Sequence, residues 1–296
     1  MKALLKSNVV IVTCALLWCA CVHAEEDIAY LAPGKQGYWQ VWVMDTQGQQ
    51  HRQLTHSAFD KNSLSWFPDG KRLLVNGSQG ELHEVGLTGG KELPITMPLK
   101  GFIDASLAPD GKSVVFSLST SDSVDDNNLW RLPLDGSDQQ KLTNMRHMQH
   151  EPRWHPDGKT VYFLSGDGGE AHDIWALDLI SGSKRQLTFN SLYNFDVVAD
   201  TKGRLVFSSN RAGNYDLWLR ESNGKLKQLT TDAALDAAPS WSPKGDAVVF
   251  QSTRDGAYNL WRLTLESGEL TQLTQFTSGA RKPLWRPQSA QGKSVL

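Results

Sequence analysis

The stretch that decides the fold spans residues 239–274 and reads PSWSPKGDAVVFQSTRDGAYNLWRLTLESGELTQLT. It contains three short phrases that recur along the chain: a turn built on proline and glycine, a Leu-Trp pair and a closing Leu-Thr. The proline of the first phrase, or its replacement, stands at Pro68, Pro109, Pro156, Thr201, Pro243 and Pro287. The threonine of the third phrase stands at Thr55, Thr96, Thr143, Thr188, Thr230 and Thr274. The chain therefore carries six copies of one unit.

The spacing of these phrases is regular in a particular way. Each threonine is followed by the proline position of the next unit after 13 residues, in all six cases. Successive threonines are separated by 41, 47, 45, 42 and 44 residues, so every change of length lies inside a unit. A period of this size with a constant join is typical of a repeat architecture.

Each unit contains short apolar runs bounded by turn residues. The clearest runs cover residues 72–75, 113–116, 160–163, 204–207 and 247–250, and they are rich in valine and phenylalanine. Runs of this length and composition, followed by alternating Leu-Trp segments, predict β-strands joined by hairpins. The sequence therefore predicts an all-β fold, a six-bladed β-propeller of four-stranded blades. A solenoid is the alternative, but its exposed sheet edges would need caps.

The two ends of the repeat region predict how the ring closes. The first blade begins at residues 28–31, which match the second strand of the other units. The last unit stops after residues 282–287, which match a first strand with nothing after it. We therefore expect the C-terminal strand to complete the N-terminal blade and to leave no free sheet edge.

The first 24 residues are typical of a secretory signal peptide. Lys2 and Lys6 precede an apolar run over residues 9–22, and Ala24 ends a small-x-small cleavage site. The run is too short for a membrane span. We expect cleavage after Ala24, a propeller domain over residues 25–296, and a soluble periplasmic protein. Lipoprotein processing at Cys21 is the alternative.

Composition and motifs argue against several classes of function. A net charge of −2 argues against a nucleic-acid binder. All three cysteines lie in the leader, and neither a nucleophile elbow nor a phosphate-binding glycine loop occurs. His147, His150 and Glu151 could meet a metal from a loop, but polar residues at a wet strand start are the simpler interpretation. We therefore expect no catalytic residue, no metal and no cofactor.

The constant join predicts a ring of equivalent positions at one mouth of the channel. Eight residues after each threonine stand Ser63, Asp104, Glu151, Asp196, Ala238 and Lys282. Three consecutive carboxylates thus face a basic sector, a mixture that suits a cation or a complementary protein loop. Hairpin loops near residues 119–128, 165–173 and 209–216 should open on the same face. The residues predicted to bind a partner are Lys61, Asp104, His150, Glu151, Asp196, Asp236, Arg281 and Lys282.

Nine of the 11 tryptophans occupy two repeat positions. One position holds Trp66, Trp154, Trp241 and Trp285, and the other holds Trp42, Trp130, Trp175, Trp218 and Trp261. Recurrence at a fixed phase predicts packing between blades. After the leader, only Trp39 lies outside both positions, and it is the one candidate there for an exposed aromatic residue.

The repeat resembles that of the TolB-type propellers. The resemblance rests on the turn phrase, on residues 208–218 (SSNRAGNYDLW) and on Gln-Leu-Thr, and it covers nearly all of the chain after the leader. It implies a non-catalytic periplasmic scaffold in the cell envelope, monomeric, with a protein partner such as an outer-membrane lipoprotein. Related propellers also include polysaccharide lyases, so a metal-dependent lyase acting on an acidic sugar polymer is the alternative.

Overall fold

The computed structural model describes residues 27–97, 104–119, 127–166, 172–189 and 193–288. The predicted signal peptide, residues 1–24, lies outside this part of the chain. Twenty-four strands form six antiparallel sheets of four strands each. This confirms the predicted six-bladed propeller. In the ranges described, no helix is long and apolar enough to cross a membrane.

The strands are grouped here by their rank within a blade. The inner strands are β4 (Lys61–Trp66), β8 (Ser106–Leu107), β12 (Gln149–Trp154), β16 (Asn194–Ala199), β20 (Asp236–Trp241) and β24 (Arg281–Trp285). The second strands are β1 (Ile28–Pro33), β5 (Arg72–Gly77), β9 (Ser113–Ser119), β13 (Thr160–Ser165), β17 (Leu205–Ser209) and β21 (Ala247–Asp255). The third strands are β2 (Trp39–Met44), β6 (Leu82–Gly86), β10 (Asn127–Pro133), β14 (Asp173–Asp178), β18 (Asp216–Arg220) and β22 (Ala257–Thr264). The outer strands are β3 (Arg52–Gln53), β7 (Glu92–Ile95), β11 (Gln140–Lys141), β15 (Lys184–Gln186), β19 (Leu226–Gln228) and β23 (Leu270–Gln272).

The ring closes as predicted. Strand β24 pairs antiparallel with β1, with Ile28 opposite Trp285 and Ala29 opposite Leu284. The Arg286 backbone N–H extends this pairing by donating to the Asp27 carbonyl at 2.7 Å. The inner strand of the first blade therefore comes from the C-terminal end of the chain. The outer strands are only two to four residues long, which limits edge-to-edge association.

The core lies between neighbouring sheets. The phenylalanines of the second strands, Phe116, Phe163, Phe207 and Phe250, are almost completely buried. Burial of such side chains contributes about 1.5–3 kcal/mol each. The first tryptophan position also connects blades, because the Trp241 indole N–H donates to the Val198 carbonyl of the preceding blade at 3.2 Å. Trp66 and Trp154 make the equivalent bond. This confirms the packing role predicted for these tryptophans.

The closing threonine is a buried polar anchor in five of the six units, whereas Thr96 is exposed. The Thr188 hydroxyl accepts a hydrogen bond from the Ile174 backbone N–H at 2.9 Å and donates to the Asp173 carboxylate at 2.8 Å. Thr55, Thr143, Thr230 and Thr274 accept the equivalent backbone N–H, and each donates to a side-chain carbonyl or carboxylate oxygen. The recurring Leu-Thr phrase therefore encodes a hydrogen bond that fastens the start of a third strand.

The connections at the two ends of the ring differ. Between an inner strand and its second strand, the connection is five residues long in each of the five blades that have one. At the opposite end, the hairpins between second and third strands have from one to seven residues. The inner strands begin at this second end, as the Asp236 N–H bond to the Tyr215 carbonyl shows. We call it the loop-bearing end.

Candidate functional site

The channel mouth at the loop-bearing end is formed by irregular inner strands. We call the ring of equivalent positions predicted at this mouth the rim. In β12, β16 and β20 the pairing with the second strand shifts register near the rim position. Glu151, Asp196, Ala238 and Lys282 have φ between +49° and +53°. This left-handed conformation is uncommon for residues other than glycine. Each of these bulges turns a backbone N–H towards the neighbouring blade.

The rim carboxylates accept these turned N–H groups. Asp104 accepts a hydrogen bond from the Glu151 N–H at 2.8 Å, and Glu151 accepts one from the Asp196 N–H at 2.9 Å. Asp196 in turn accepts from the Ala238 N–H at 3.0 Å. The three carboxylates therefore join four consecutive blades. Each carboxylate accepts a backbone N–H from the next blade that the sheet of that blade leaves unpaired. This role is structural, and it was not foreseen from the sequence.

The chain of carboxylates stops at Ala238, which has no side-chain acceptor. There the Gln251 side chain, from the second strand of the same blade, accepts the Lys282 N–H at 2.9 Å. The Ser63 hydroxyl is buried without a partner in the part of the chain that the structure describes. The rim therefore has two sectors. In one, the carboxylates are hydrogen-bonded to neighbouring blades; in the other, Lys282 is the charged residue.

Burial changes the acidity of two neighbouring groups at the mouth. Desolvation, followed by repulsion from Asp196, raises the pKa of Glu151 to about 7, although Arg153 and Lys282 act in the opposite direction. Desolvation also lowers the pKa of His150 to about 4, with a further contribution from His172. Near pH 7 the His150 ring is therefore neutral, and Glu151 is partly protonated.

Two of the predicted binding residues lie beneath the surface. The Lys61 side chain is fully buried and donates to the Ser57 hydroxyl at 2.5 Å and to the Phe59 carbonyl at 3.0 Å. Asp236 is also fully buried and accepts two hydrogen bonds from the Arg254 guanidinium, at 2.9 and 2.8 Å. Both side chains stabilise the start of an inner strand, and neither is placed to touch a partner.

The basic side of the mouth includes Arg281. Its guanidinium lies 3.8 Å above the Trp39 ring, and its Nε is buried without a partner within the described chain. Trp39 packs against the core and is only partly exposed, so the expectation of an exposed aromatic at this position is corrected. The stacking explains why a tryptophan stands outside the two repeat positions.

The sequence interpretation missed an aromatic cluster that begins beside His150. The His172 ring lies 4.7 Å from the His150 ring and 5.3 Å from the Tyr193 ring. Only the position of His172, at the end of a variable hairpin, could have indicated it. Among the described residues, no group of three or more His, Cys, Asp or Glu side chains is arranged to hold a metal ion.

Arg254 is a second residue that sequence reasoning missed. Its guanidinium lies 5.0 Å from the Trp261 ring, and Arg211 occupies the equivalent place over Trp218. A signal was present, because Ser-x-Arg-x-Gly occurs at the same phase in both repeats, at residues 209–213 and 252–256. The recurrence indicates packing on the tryptophan of the third strand; Arg254 also forms an ion pair with Asp236, whereas Arg211 donates to the Asn194 side chain.

An axial cavity of about 350 Å³ lies among the inner strands. Asp196, Ala238 and Lys282 contribute to its lining, as do Arg153 and the tryptophans at the ends of the inner strands. The cavity therefore lies along the channel, with charged groups near the loop-bearing end and aromatic walls beyond them.

Comparison with known proteins gives the relatives of this chain. The sequence profile of the TolB beta propeller domain (PD40) matches residues 100–289. An uncharacterized protein from Agrobacterium fabrum is 29% identical over 245 residues, which cover 75% of this chain and 80% of that protein. The Tol-Pal system protein TolB of Francisella tularensis is 23% identical over 175 residues.

These residues make up 57% of this chain and 40% of that TolB protein, so the chain spans less than half of its length. Among solved structures, TolB from Acinetobacter baumannii superposes with a TM-score of 0.78 at 25% identity. That superposition covers 90% of this chain and 67% of the TolB chain.

Proposed function

The chain belongs to the TolB β-propeller domain family, and from that premise we propose that it is a non-catalytic periplasmic scaffold. On this proposal it binds a protein of the cell envelope, such as an outer-membrane lipoprotein, through the channel mouth at the loop-bearing end. The predicted signal peptide supports the periplasmic location, and the Tol-Pal relatives support an envelope role.

The observation that carries the proposal is the difference between the two ends of the ring. The five-residue turns at one end are uniform, and each closes with the same hydrogen bond, as in Gly111 N–H to the Ala108 carbonyl and Gly158 N–H to the His155 carbonyl. The hairpins at the loop-bearing end differ in length and sequence. Variable loops on a rigid scaffold are where binding specificity usually resides.

The side chains at the loop-bearing end suit a protein surface. Tyr38, Tyr193 and Tyr258 are each 37–39% exposed there. Arg281, His150 and His172 lie at the same mouth, where the His172 ring lies 5.3 Å from the Tyr193 ring. Tyrosine and arginine are enriched at protein interfaces, and a surface with both signs of charge favours a complementary partner. We therefore expect the partner to contact this end.

The three exposed tyrosines allow a conservative test. Each is replaced singly by the photoreactive aromatic residue p-benzoyl-phenylalanine, and the protein is irradiated in the periplasm of its own cells. Lys112 and Lys159, which are exposed in the uniform turns, carry the same label as controls. We expect one envelope protein, identified by mass spectrometry, to be joined from at least two tyrosine positions and from neither control. No product from any tyrosine, or the same product from the controls, would contradict the proposal.

A further inference from the structure

The axial cavity has rigid aromatic walls. The indole N–H groups of Trp66, Trp154 and Trp241 donate to the carbonyls of Leu284, Ser106 and Val198, at 3.1–3.2 Å. These bonds fix the rings across the blade interfaces and occupy the backbone acceptors beside them. The wall therefore presents hydrocarbon surface that is already in place before a ligand enters.

The polar groups that remain free in the lining are mostly donors. The Ser240 hydroxyl accepts the Trp285 N–H at 2.9 Å, and the Ser65 hydroxyl accepts the Leu107 N–H at 3.4 Å. Neither hydroxyl hydrogen has an acceptor among the described residues, so both remain able to donate. A ligand that meets these groups has to bring acceptors.

Two cations reinforce this preference. Arg153 donates through one nitrogen to the carbonyls of Pro152 and Asp104, at 2.9 and 3.4 Å. Within the described chain no carboxylate lies within 4 Å of the Arg153 guanidinium or the Lys282 ammonium group. Asp196 is the one carboxylate in the lining, and it already accepts the Ala238 N–H.

Glu151 lies near these two cations but neutralises their positive charge only in part. Its side chain is 24% exposed, it accepts the Asp196 N–H, and burial raises its pKa. Two half-buried cations thus line the cavity, and the one carboxylate in the lining is already hydrogen-bonded. Charges in such a place attract a counter-ion more strongly than they would at an open surface.

We propose that the axial cavity binds a small organic acid, with its carboxylate between Arg153 and Lys282 and its apolar body against the tryptophan walls. The volume of about 350 Å³ lies at the lower end of the range for small-molecule sites, about 300–1,000 Å³. This fits a monocarboxylate with a short aliphatic or aromatic body. The site shares Lys282 with the channel mouth, but the tyrosines proposed to contact a partner do not line it.

The test uses the purified protein and four commercial probes in titration calorimetry. Benzoate and hexanoate are compared with benzyl alcohol and hexylamine, which keep the apolar bodies but lack the carboxylate. We expect saturable binding of the two acids and at least ten-fold weaker binding of the alcohol and the amine. Because tryptophans line the cavity, the acids should also change the intrinsic fluorescence.

Variants locate the site. Arg153→Gln and Lys282→Met should each weaken benzoate binding at least ten-fold, and Lys159→Met, on an exposed turn, should leave it unchanged. If Arg153→Gln melts at a lower temperature than the parent protein, Lys282→Met decides the test, because no hydrogen bond of its side chain is lost within the described chain. The proposal fails if no acid binds saturably, if the alcohol binds as well as the acid, or if Lys282→Met has no effect. None of these results bears on the crosslinking from the tyrosines.

Discussion

Replacing Glu151 with glutamine is expected to stabilise the protein at pH 8 and to change its stability much less at pH 5. Burial and the Asp196 carboxylate raise the pKa of Glu151 to about 7 in the folded chain, from 4.5. A carboxyl group with a raised folded pKa is protonated more readily in the folded state. Its contribution to stability is therefore greatest below pH 4.5 and is lost as the pH rises through 7.

The size of the effect follows from the shift in pKa. A pKa difference of one between the folded and unfolded chain corresponds to about 1.4 kcal/mol. The free energy of unfolding therefore falls by about 3 kcal/mol above pH 7 and by about 1 kcal/mol at pH 5. Glutamine keeps an oxygen that can accept the Asp196 N–H, but it cannot ionise. The variant should therefore exceed the parent protein by about 3 kcal/mol at pH 8.

Urea unfolding at pH 5, 6, 7 and 8 measures this difference directly. Using the difference between variant and parent at each pH cancels the other titrating groups, including His150, whose lowered pKa acts in the opposite direction over pH 4–6.5. Glu266→Gln, at an exposed turn, is the matched control and should give no trend with pH. A difference that stays constant from pH 5 to 8, or a variant less stable than the parent at pH 8, would show that Glu151 is held as a carboxylate.

Three further predictions concern the ring itself. Thr188→Val should cost about 1–3 kcal/mol in urea unfolding, because the Ile174 N–H and the Asp173 carboxylate lose their buried partner; an unchanged midpoint would argue against the anchor. Trp241→Phe should lower the melting temperature more than Trp218→Phe, because only Trp241 donates a hydrogen bond to the preceding blade; equal losses would contradict this. Deleting residues 280–296 removes β24 and should abolish the cooperative thermal transition seen by circular dichroism, whereas an unaltered transition would refute closure by this strand.

The sequence predicted the ring well because its turns and anchors repeat. The constant interval between Thr188 and position 201, and between the other pairs, identifies the inner strand even where proline is replaced. The strands themselves are longer than the apolar runs, as in β21, which continues from residue 250 to Asp255. Polar residues can extend a ladder because the backbone, and not the side chain, makes its hydrogen bonds.

The mouth was predicted less completely. The positions of Asp104, Glu151 and Asp196 followed from the repeat, but their bonds to the next blade depend on bulges that no glycine marks. The burial of Lys61 and Asp236 depends on partners from other parts of the repeat, such as Arg254. Contacts of this kind differ from blade to blade, so spacing alone does not reveal them.

Closure by β24 has a consequence for how the protein reaches its folded state. The pairing of Ile28 with Trp285 joins residues from opposite ends of the domain, and no shorter chain can make it. Until the last strand arrives, β1 presents an open edge that could pair with another chain. Forming contacts between such distant residues is slow, because the intervening chain must first be ordered. The unfinished domain is therefore exposed to aggregation for a time that depends on the length of its chain. Chaperones, or fast completion of synthesis, would protect it during that time.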